Sequence, residues 1–292
     1  MIPAAFEYVR VHTEDEAFEQ LQQHGAEARV LAGGQSLIPA MRFRLARPAV
    51  LVDINAIKSF DYVTLDGQAL AVGAIARDSA IERAAWAADR RWSLIHDASG
   101  VVADPVVRQM GTVVGSLCHN DPAGDWTAVA LAARAEVIVR GKAGRRTVKI
   151  DAFLVDSFTT AVVEGEIATA VRFPVPDDRT AGSYQKVERK VGDFATAAAA
   201  VQVSLNADGT IREAGVALSA AGPTASRVDE AERLLAGQKP TADLIRAAAD
   251  AASRRSAPQA DLRGSVEYKK HLAGVLVGRG LRQALTRLGV SS

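Results

Sequence analysis

Two adjacent glycines, Gly33 and Gly34, interrupt an apolar stretch near the start of the chain and are followed closely by the hydroxyl of Ser36. Glycine reaches positive φ without strain, and the absence of a Cβ lets the backbone come close to a ligand. Successive amide N–H groups in such a turn can converge on an anion, and a serine hydroxyl adds a donor beside them. The segment therefore predicts an anion-binding turn that would suit a phosphate group.

Short strands are expected on both sides of this turn. One covers residues 30–32 and another residues 50–54, with basic side chains between them at Arg42, Arg44 and Arg47. A glycine pair between two strands can also be an ordinary turn, which is the alternative interpretation. Neither G-x-x-x-x-G-K-[ST] nor G-x-G-x-x-G occurs in the segment, so a nucleotide would have to be bound by another design.

A second stretch rich in turn-forming residues covers positions 102–126. Prolines and glycines interrupt it at Pro105, Gly111, Gly115, Pro122 and Gly124. We therefore expect a long polar loop rather than one regular element. Its hydrogen-bonding side chains are Thr112, Ser116, His119, Asn120, Asp121 and Asp125. A long polar loop between apolar elements is typical of a functional segment.

Other chemistry is less well supported by this stretch. His119, Asp121 and Asp125 could suggest a metal site, but no further ligand lies at a recognisable spacing, so we expect no metal. Cys118 follows apolar Leu117 and fits a buried small hydrophobe better than a nucleophile. No catalytic triad can be assembled from the sequence. We therefore expect no conventional catalytic residue in this chain.

Composition limits the possible functions. The 292 residues carry 35 basic and 34 acidic side chains, a formal net charge of +1, which gives no footprint for nucleic acid or an anionic membrane. No apolar run is long enough to span a bilayer, and no secretory signal is recognised. One cysteine allows neither an internal disulfide nor an iron–sulfur cluster held by this chain alone. We expect a cytoplasmic, soluble protein.

The element pattern predicts an α+β fold. In the N-terminal part we expect helices over residues 13–25, from Ser79 to Ala87, over 93–98 and over 125–135. Residues 60–65 and 69–75 should form a hairpin around Asp66 and Gly67. Further strands are expected over residues 136–140, 147–150 and 166–173.

A polar stretch at residues 176–182 indicates a domain boundary. The strands expected beyond it cover residues 183–189, 195–205 and 211–218, and the helices cover 226–236, 241–253 and 265–288. This pattern predicts a small domain with a three-stranded antiparallel sheet and a helical layer. The expected domains are residues 1–176, with subdomains at about 1–56 and 57–176, and residues 180–288.

Several ordered motifs together resemble one known family. They are Ala32-Gly-Gly-Gln-Ser36, Ala46-Arg-Pro48 with Leu51-Val-Asp-Ile-Asn55, Gly111-Thr-Val-Val-Gly-Ser116, His119-Asn-Asp-Pro-Ala-Gly-Asp125, Lys186 with Gly192-Asp-Phe-Ala195, and Asp261-Leu-Arg-Gly-Ser-Val-Glu-Tyr268. The sequence resembles the FAD-binding medium subunit of the molybdenum hydroxylases, the group of xanthine, carbon monoxide, nicotine and caffeine dehydrogenases. The resemblance covers nearly the whole chain. It implies a PCMH-type FAD-binding domain of two α/β subdomains, followed by the family's small C-terminal domain.

The resemblance also implies a set of cofactor-binding residues. The two glycine-containing loops would hold the pyrophosphate of non-covalently bound FAD, and Asp125 would accept hydrogen bonds from its sugar or ribityl hydroxyls. Lys186 would place a charge near the cofactor, with a solvated surface lysine as the alternative. The implied residues are Ala32, Gly33, Gly34, Gln35, Ser36, Leu37, Val102, Thr112, Gly115, Ser116, His119, Asp121, Asp125, Ile167, Ala168 and Lys186.

The sequence departs from the family pattern in the second loop. The family usually has Thr-Ile-Gly-Gly-Asn, whereas this chain has Val114 in place of the first glycine and Ser116 in place of the asparagine. Because a β-branched residue disfavours positive φ, either Val114 lies in the β region or the loop is reshaped and binds FAD less tightly. Gln35 stands where carbon monoxide dehydrogenases commonly have histidine. This difference favours another member of the group.

The implied activity is electron transfer through FAD. Substrate oxidation would occur at a molybdopterin cofactor on a large partner subunit, and two [2Fe–2S] clusters on a small subunit would deliver electrons to this chain, in a dimer of heterotrimers. The alternatives are a flavin-less scaffold subunit of the same fold and a stand-alone PCMH-type flavin oxidoreductase, such as an oxidase or a nucleotide-sugar reductase. Gly33→Val is expected to abolish flavin retention and leave the fold largely intact.

Overall fold

A computed structural model describes residues 2–290 of the chain. The first elements are β1 (Glu7–Arg10), α1 (Glu14–His24), β2 (Ala28–Leu31), α2 (Leu37–Arg42) and β3 (Val50–Asp53). The three strands form a parallel sheet in the order β1-β3-β2. The sequence predicted α1, β2 and β3 to within two residues at each end but missed β1 and α2, which are only four and six residues long.

Helix α1 shows why the sequence predicted its position well. The Thr13 hydroxyl accepts a hydrogen bond from the amide of Glu16, and acidic residues occupy the first turn, where they complement the helix dipole. Ala17, Phe18 and Leu21 form its buried face. Helix propensity, the N-cap and the spacing of apolar residues therefore all indicate the same helix in this segment.

The next region is built on an antiparallel sheet of five strands in the order β4-β5-β10-β6-β7. Its strands are β4 (Val63–Leu65), β5 (Ala69–Gly73), β6 (Glu136–Gly141), β7 (Gly144–Lys149) and β10 (Ile167–Pro174), and a separate pair is β8 (Leu154–Asp156) with β9 (Thr159–Thr160). The helices are α3 (Asp78–Glu82), α4 (Ser93–Val101), α5 (Pro105–Arg108), α6 (Val113–His119), α7 (Asp125–Ala132) and α8 (Ile150–Phe153). The predicted hairpin is confirmed as β4 and β5.

The expectation of one long loop over residues 102–126 is wrong, because helices α5 and α6 lie within it. Pro105 occupies the first turn of α5 behind the capping carboxylate of Asp104, a position where its missing N–H costs nothing. Thr112 caps α6 through the amide of Gly115. The turn-forming residues therefore start helices here as well as break them.

The C-terminal region has β11 (Thr180–Val187), β12 (Ala197–Leu205), β13 (Ile211–Ser219), β14 (Ser226–Arg227), α9 (Asp229–Leu235), α10 (Ala242–Arg255) and α11 (Val266–Arg287). The antiparallel sheet has four strands, in the order β11-β12-β13-β14, and not the predicted three. Residues 226–227 pair with Ala217 and Leu218 before α9 begins, so the helix expected from residue 226 starts later. A two-residue strand has no periodicity by which a sequence could reveal it. The predicted α+β class is confirmed.

Strand β12 is buried on both faces, which explains its run of alanines. Ala198 and Ala200 belong to the hydrophobic core shared with the N-terminal region. Ala197 and Ala199 point into a second core, covered by α10 and α11. Alternate residues of a strand face opposite sides, so small side chains let elements approach the sheet from both sides. Helix α7, buried along its whole length, packs on β12 and β13 and joins the two regions.

Candidate functional site

The two predicted loops, one from each N-terminal sheet, lie directly against each other. A Cβ on residue 33 would overlap the carbonyl oxygen of Met110 and would lie 3.1 Å from the Cα of Gly111. A Cβ on residue 111 would lie 2.5 Å from Oδ2 of Asp78. Both positions therefore need glycine for close packing of the backbone. This overlap argues against the expectation that Gly33→Val leaves the fold largely intact, because the larger side chain would force the loops apart.

The first loop has the conformation that the glycine pair suggested. Gly34 has a φ of +71°, and its carbonyl oxygen accepts the amide of Ile38 at the start of α2. The side chain of Gln35 folds back and donates to the carbonyl oxygen of Gly33 at 3.1 Å. Ser36 is the residue before α2, and its hydroxyl makes no capping hydrogen bond to that helix. The hydroxyl and the backbone amides of the turn are thus available to an anion.

In the second loop, Val114 causes no strain. It lies in the first turn of α6, is 2% exposed and packs in the core, and its φ is not positive. The expectation that Val114 lies in the β region is wrong, since the residue is helical and the helix is regular, and weaker FAD binding through a reshaped loop stays a prediction. Ser116 occupies the next part of the same helix and is half-buried. Val114 and Ser116 therefore both lie in a helix that Thr112 caps.

The end of α6 is anchored by a buried amide. Asn120 adopts a left-handed conformation with φ +47°, and its Nδ2 donates to the carbonyl oxygens of Asp156 and Thr159. Beside it, Nε2 of His119 lies 3.8 Å from a carboxylate oxygen of Asp121. Burial lowers the pKa of His119, and the Asp121 charge opposes that shift. The lowered pKa favours the neutral form of the His119 imidazole.

Asp125 and Lys186 meet across the boundary between α7 and β11. Asp125 accepts hydrogen bonds from the Tyr184 hydroxyl at 2.6 Å and from Nζ of Lys186 at 3.1 Å. Burial raises the pKa of Asp125, while the Lys186 charge opposes the rise. The Lys186 ammonium also contacts the carbonyl oxygen of Val101 and Oε2 of Glu188. Its side chain is 4% exposed, so the alternative of a solvated surface lysine is wrong.

The remaining predicted residues lie on buried backbone near these elements. Ile167 and Ala168 are the first residues of β10, against which α6 packs, and both are buried. Val102 follows α4, and its carbonyl oxygen accepts a hydrogen bond from the Arg108 guanidinium. Leu37 begins α2 and is half-buried. The structure thus brings together Gly33 with the second loop, and Asp125 with Lys186.

Comparison with known proteins finds similarity over nearly the whole chain. The family model for the FAD binding domain in molybdopterin dehydrogenase matches residues 4–176, and that for the CO dehydrogenase flavoprotein C-terminal domain matches residues 182–284. The carbon monoxide dehydrogenase medium chain of Hydrogenophaga pseudoflava is 36% identical, over 98% of this chain and 99% of the relative. The chain belongs to the FAD-binding medium subunits of the molybdenum hydroxylases.

Further relatives belong to enzymes that are named for different substrates. The beta subunit of caffeine dehydrogenase from a Pseudomonas species is 32% identical over 84% of this chain and 82% of the relative. Carbon monoxide dehydrogenase from Hydrogenophaga pseudoflava, in a form lacking the Mo-pyranopterin moiety, has a chain that matches with a TM-score of 0.94, 37% identity and coverage of 98% and 99% of the two chains. Quinoline 2-oxidoreductase from Pseudomonas putida 86 matches with a TM-score of 0.90 and 26% identity, over 99% and 100% of the two chains.

These findings confirm the family and FAD as the cofactor, and the glycine loops fit it. A pyrophosphate needs backbone N–H groups that no side chain screens, and Gly33, Gly34 and Gly111 supply backbone without side chains in the two loops. Ser36 in the first loop and Thr112 in the second loop each carry a hydroxyl. The Thr112 hydroxyl already caps α6. The medium subunit is a component of an oxidoreductase.

Other kinds of site receive no support within the part of the chain that the structure describes. Among residues 2–290, no group of three His, Cys, Asp or Glu side chains is placed to hold a metal ion. No helix in the same range combines the length and apolar character needed to cross a bilayer. Burial raises the pKa of Cys118 to about 12, so its thiol is a poor nucleophile.

Sequence reasoning missed three residues that link the loops and α7. Asn55 donates to the carbonyl oxygen of Ala32, and Arg77 reaches Met110. Asp78 accepts a hydrogen bond from Nε1 of Trp126, while its amide donates to the carbonyl oxygen of Gly111. Asn55 lay within a recognised motif, but Arg77 and Asp78 follow β5 in a segment whose pattern indicated only the start of a helix.

Proposed function

We propose that this chain holds FAD between its two glycine loops and passes electrons from iron–sulfur clusters of a partner to an external acceptor. The observation that supports the proposal is the contact between Gly33 and the Met110–Gly111 backbone, which places the two glycine loops side by side. Bound FAD supplies the redox chemistry, and the protein contributes binding, orientation and electrostatics.

The residues around the loops have distinct parts in this proposal. The turn at Gly34 and the Ser36 hydroxyl bind one end of the pyrophosphate, and the start of α6 at Thr112 forms the other side. Asp125, which accepts a hydrogen bond from Lys186, offers an acceptor to a cofactor hydroxyl in addition to its protein donors. Lys186 keeps a positive charge in a buried region beside that acceptor.

Partner subunits follow from what this chain lacks. Its one cysteine cannot ligate an iron–sulfur cluster, so a cluster would have to be supplied by another chain. The relatives are described as medium chains or subunits of dehydrogenases. We propose a large molybdopterin-binding partner and a small [2Fe–2S] partner, assembled as a dimer of heterotrimers in the cytoplasm, with residues 1–176 and 180–288 as the two domains of this subunit.

The regular helix at Val114 bears on the scaffold alternative. In that alternative, a β-branched residue at position 114 distorts the second loop so that it does not bind FAD. In the structure, Val114 packs inside α6. The remaining alternative, a stand-alone flavin oxidoreductase, predicts activity without any iron–sulfur partner.

The test uses the complex purified with the proteins encoded beside this chain. The partner's iron–sulfur clusters would be reduced with dithionite and their reoxidation by NAD⁺, a quinone or dioxygen followed, before and after removal of FAD. We expect reoxidation to slow when FAD is removed and to recover when FAD is added back. Equal rates with and without FAD would contradict the electron-transfer role, and a chain that purifies without any iron–sulfur partner would favour the stand-alone enzyme.

A further inference from the structure

Arg77 connects the two glycine loops through its side chain. Its Nη1 donates to the carbonyl oxygen of Met110 at 2.8 Å, and its Nη2 donates to Oδ1 of Asn55 at 2.6 Å. Asn55 in turn donates from Nδ2 to the carbonyl oxygen of Ala32 at 2.8 Å, one residue before the glycine pair. One guanidinium therefore spans from the second loop to the first.

The backbone at Arg77 is fixed to the second loop as well. Arg77 forms an isolated antiparallel bridge with Thr112, and the amide of Asp78 donates to the carbonyl oxygen of Gly111 at 3.0 Å. The Met110 carbonyl oxygen lies against the Cα of Gly33, where an added Cβ would overlap it. The Arg77 side chain therefore covers a carbonyl dipole whose negative end lies next to the first loop.

The hydrogen bonds of Arg77 go to neutral oxygen atoms. Its two hydrogen-bond acceptors are a carbonyl and an amide oxygen, and no ion pair within residues 2–290 includes it. Other structural arginines of this chain are paired, such as Arg108 with Glu82 and Arg287 with Asp97. Asp78, the adjacent acid, is 3% exposed, and burial raises its pKa to about 7, so it neutralises Arg77 only in part.

We propose that Arg77 is a positioning residue for the dinucleotide. Its side chain holds the two loops at a fixed separation, and its charge offsets the two negative charges of the cofactor's pyrophosphate. This inference rests on the proposed function. A planar guanidinium suits the position, because it donates to two acceptors at once and keeps its charge at any physiological pH. Lysine keeps the charge but cannot make the same fork of hydrogen bonds.

Arg77→Gln and Arg77→Lys are the test variants, and Arg90→Met is the matched control. Arg90 also donates to a backbone carbonyl oxygen, that of Asp178, so its loss removes one charge and one similar hydrogen bond away from the loops. Dissociation constants for FAD and for riboflavin, which lacks the pyrophosphate, would be measured for the purified chain at several salt concentrations. Thermal unfolding of each variant would show that it is folded.

We expect Arg77→Gln to bind FAD at least about tenfold more weakly and with less salt dependence, while riboflavin binding is unchanged. Arg77→Lys should keep the salt dependence of the original protein but lose part of the FAD affinity. If Arg77→Gln does not fold, Arg77→Lys becomes the test. The proposal then predicts that Arg77→Lys loses FAD affinity while its riboflavin affinity is unchanged. The control, Arg90→Met, should match the original protein in FAD affinity and in riboflavin affinity.

Two results would overturn the proposal. FAD affinity and salt dependence unchanged in the Arg77 variants would show that the charge has no part in binding. Equal weakening of FAD and riboflavin would show a general effect on the site and no link to the pyrophosphate. If the unaltered chain takes up neither ligand, the proposed function itself fails, and that outcome is recognised before any variant is compared.

Discussion

At the scale of single residues, the candidate site depends on a lack of side chains where backbone segments meet. Gly33 touches the Met110 carbonyl, and Gly111 touches the carboxyl of Asp78. The sequence identified the first loop because two adjacent glycines have a recognisable effect on the backbone. It did not reveal what each glycine contacts, since Met110 lies 77 residues from Gly33 and Asp78 lies 33 residues from Gly111 along the chain.

Gly33→Ala should weaken both folding and cofactor binding. The added methyl group overlaps a backbone oxygen, so the loops must separate, at an expected cost of about 1–3 kcal/mol. Urea unfolding and FAD titration measure the two effects. Gly100→Ala is the matched control, because a Cβ there meets nothing within 4 Å in α4 and should stabilise the helix by about 0.5–1 kcal/mol. Full stability in Gly33→Ala would show that the loops are not in contact.

Asp78 should make stability depend on pH. Burial raises its pKa to about 7, with the Trp126 hydrogen bond and the charges of Arg108 and Arg77 opposing the rise and that of Asp125 adding to it. Because the folded state binds this proton more tightly than the unfolded state, the stability from Asp78 is complete below about pH 4 and is lost as pH rises towards 7. The loss could reach about 4 kcal/mol.

Asp78→Asn keeps an acceptor for Trp126 but cannot ionise. We expect its free energy of unfolding to match that of the original protein at pH 4 within about 1 kcal/mol and to exceed it at pH 8. Urea unfolding at several pH values gives the comparison. An equal pH dependence in both proteins would mean that the carboxyl is already ionised at pH 5.

At the scale of elements, α6 shows how a segment rich in glycine can still be regular. Thr112 provides the cap, and the left-handed Asn120 ends the helix eight residues later, with its amide bound to the backbone of β8 and β9. The sequence contained these signals, but the prolines and glycines around them favoured a loop. Tertiary contacts, which one sequence does not display, decided between the two.

Thr112→Ala should destabilise the protein by about 1 kcal/mol through loss of the cap on α6. Thr112→Ser retains the hydroxyl and should recover most of this stability. Chemical unfolding measures both variants, and FAD titration shows whether the start of α6 also contributes to binding. If alanine and serine variants are equally stable, the hydroxyl is not acting as a cap.

Element prediction succeeded where periodicity was long and failed where elements were short. The eleven residues of α1 carry a cap, an acidic first turn and a buried face. By contrast, β1 and β14 have four and two residues, and their positions depend on pairing with β3 and β13. Over so few residues, strand propensity is too weak to predict an element whose position is set by pairing with a strand that is distant along the chain.

At the scale of the whole molecule, ionic contacts join the N-terminal and C-terminal regions. Lys186 on β11 meets Asp125 on α7, and Arg287 on α11 makes two hydrogen bonds of 2.8 Å to Asp97 on α4. The family resemblance named Asp125 and Lys186 separately as cofactor residues. Only the structure shows that they contact each other, because the pair is 61 positions apart.

Lys186→Met should be strongly destabilising because it leaves Asp125 buried without its counter-charge. We expect a loss of about 3–5 kcal/mol, with partial recovery in the double variant Lys186→Met/Asp125→Asn. The exposed pair of Arg254 and Glu230 is the control, since Arg254→Met should cost less than about 1 kcal/mol. Urea unfolding distinguishes these cases. Similar small losses for both lysine and arginine variants would show that the buried pair contributes little.

The most direct test of the central claim is a titration of the purified chain with FAD, followed by its visible spectrum. The account predicts saturable uptake of one FAD per chain, a yellow protein, and release of unmodified FAD on heating because the binding is non-covalent. Gly100→Ala should bind like the original protein and Gly33→Ala more weakly. A folded chain that takes up no FAD at saturating concentration would contradict the assignment of the two glycine loops as the cofactor site.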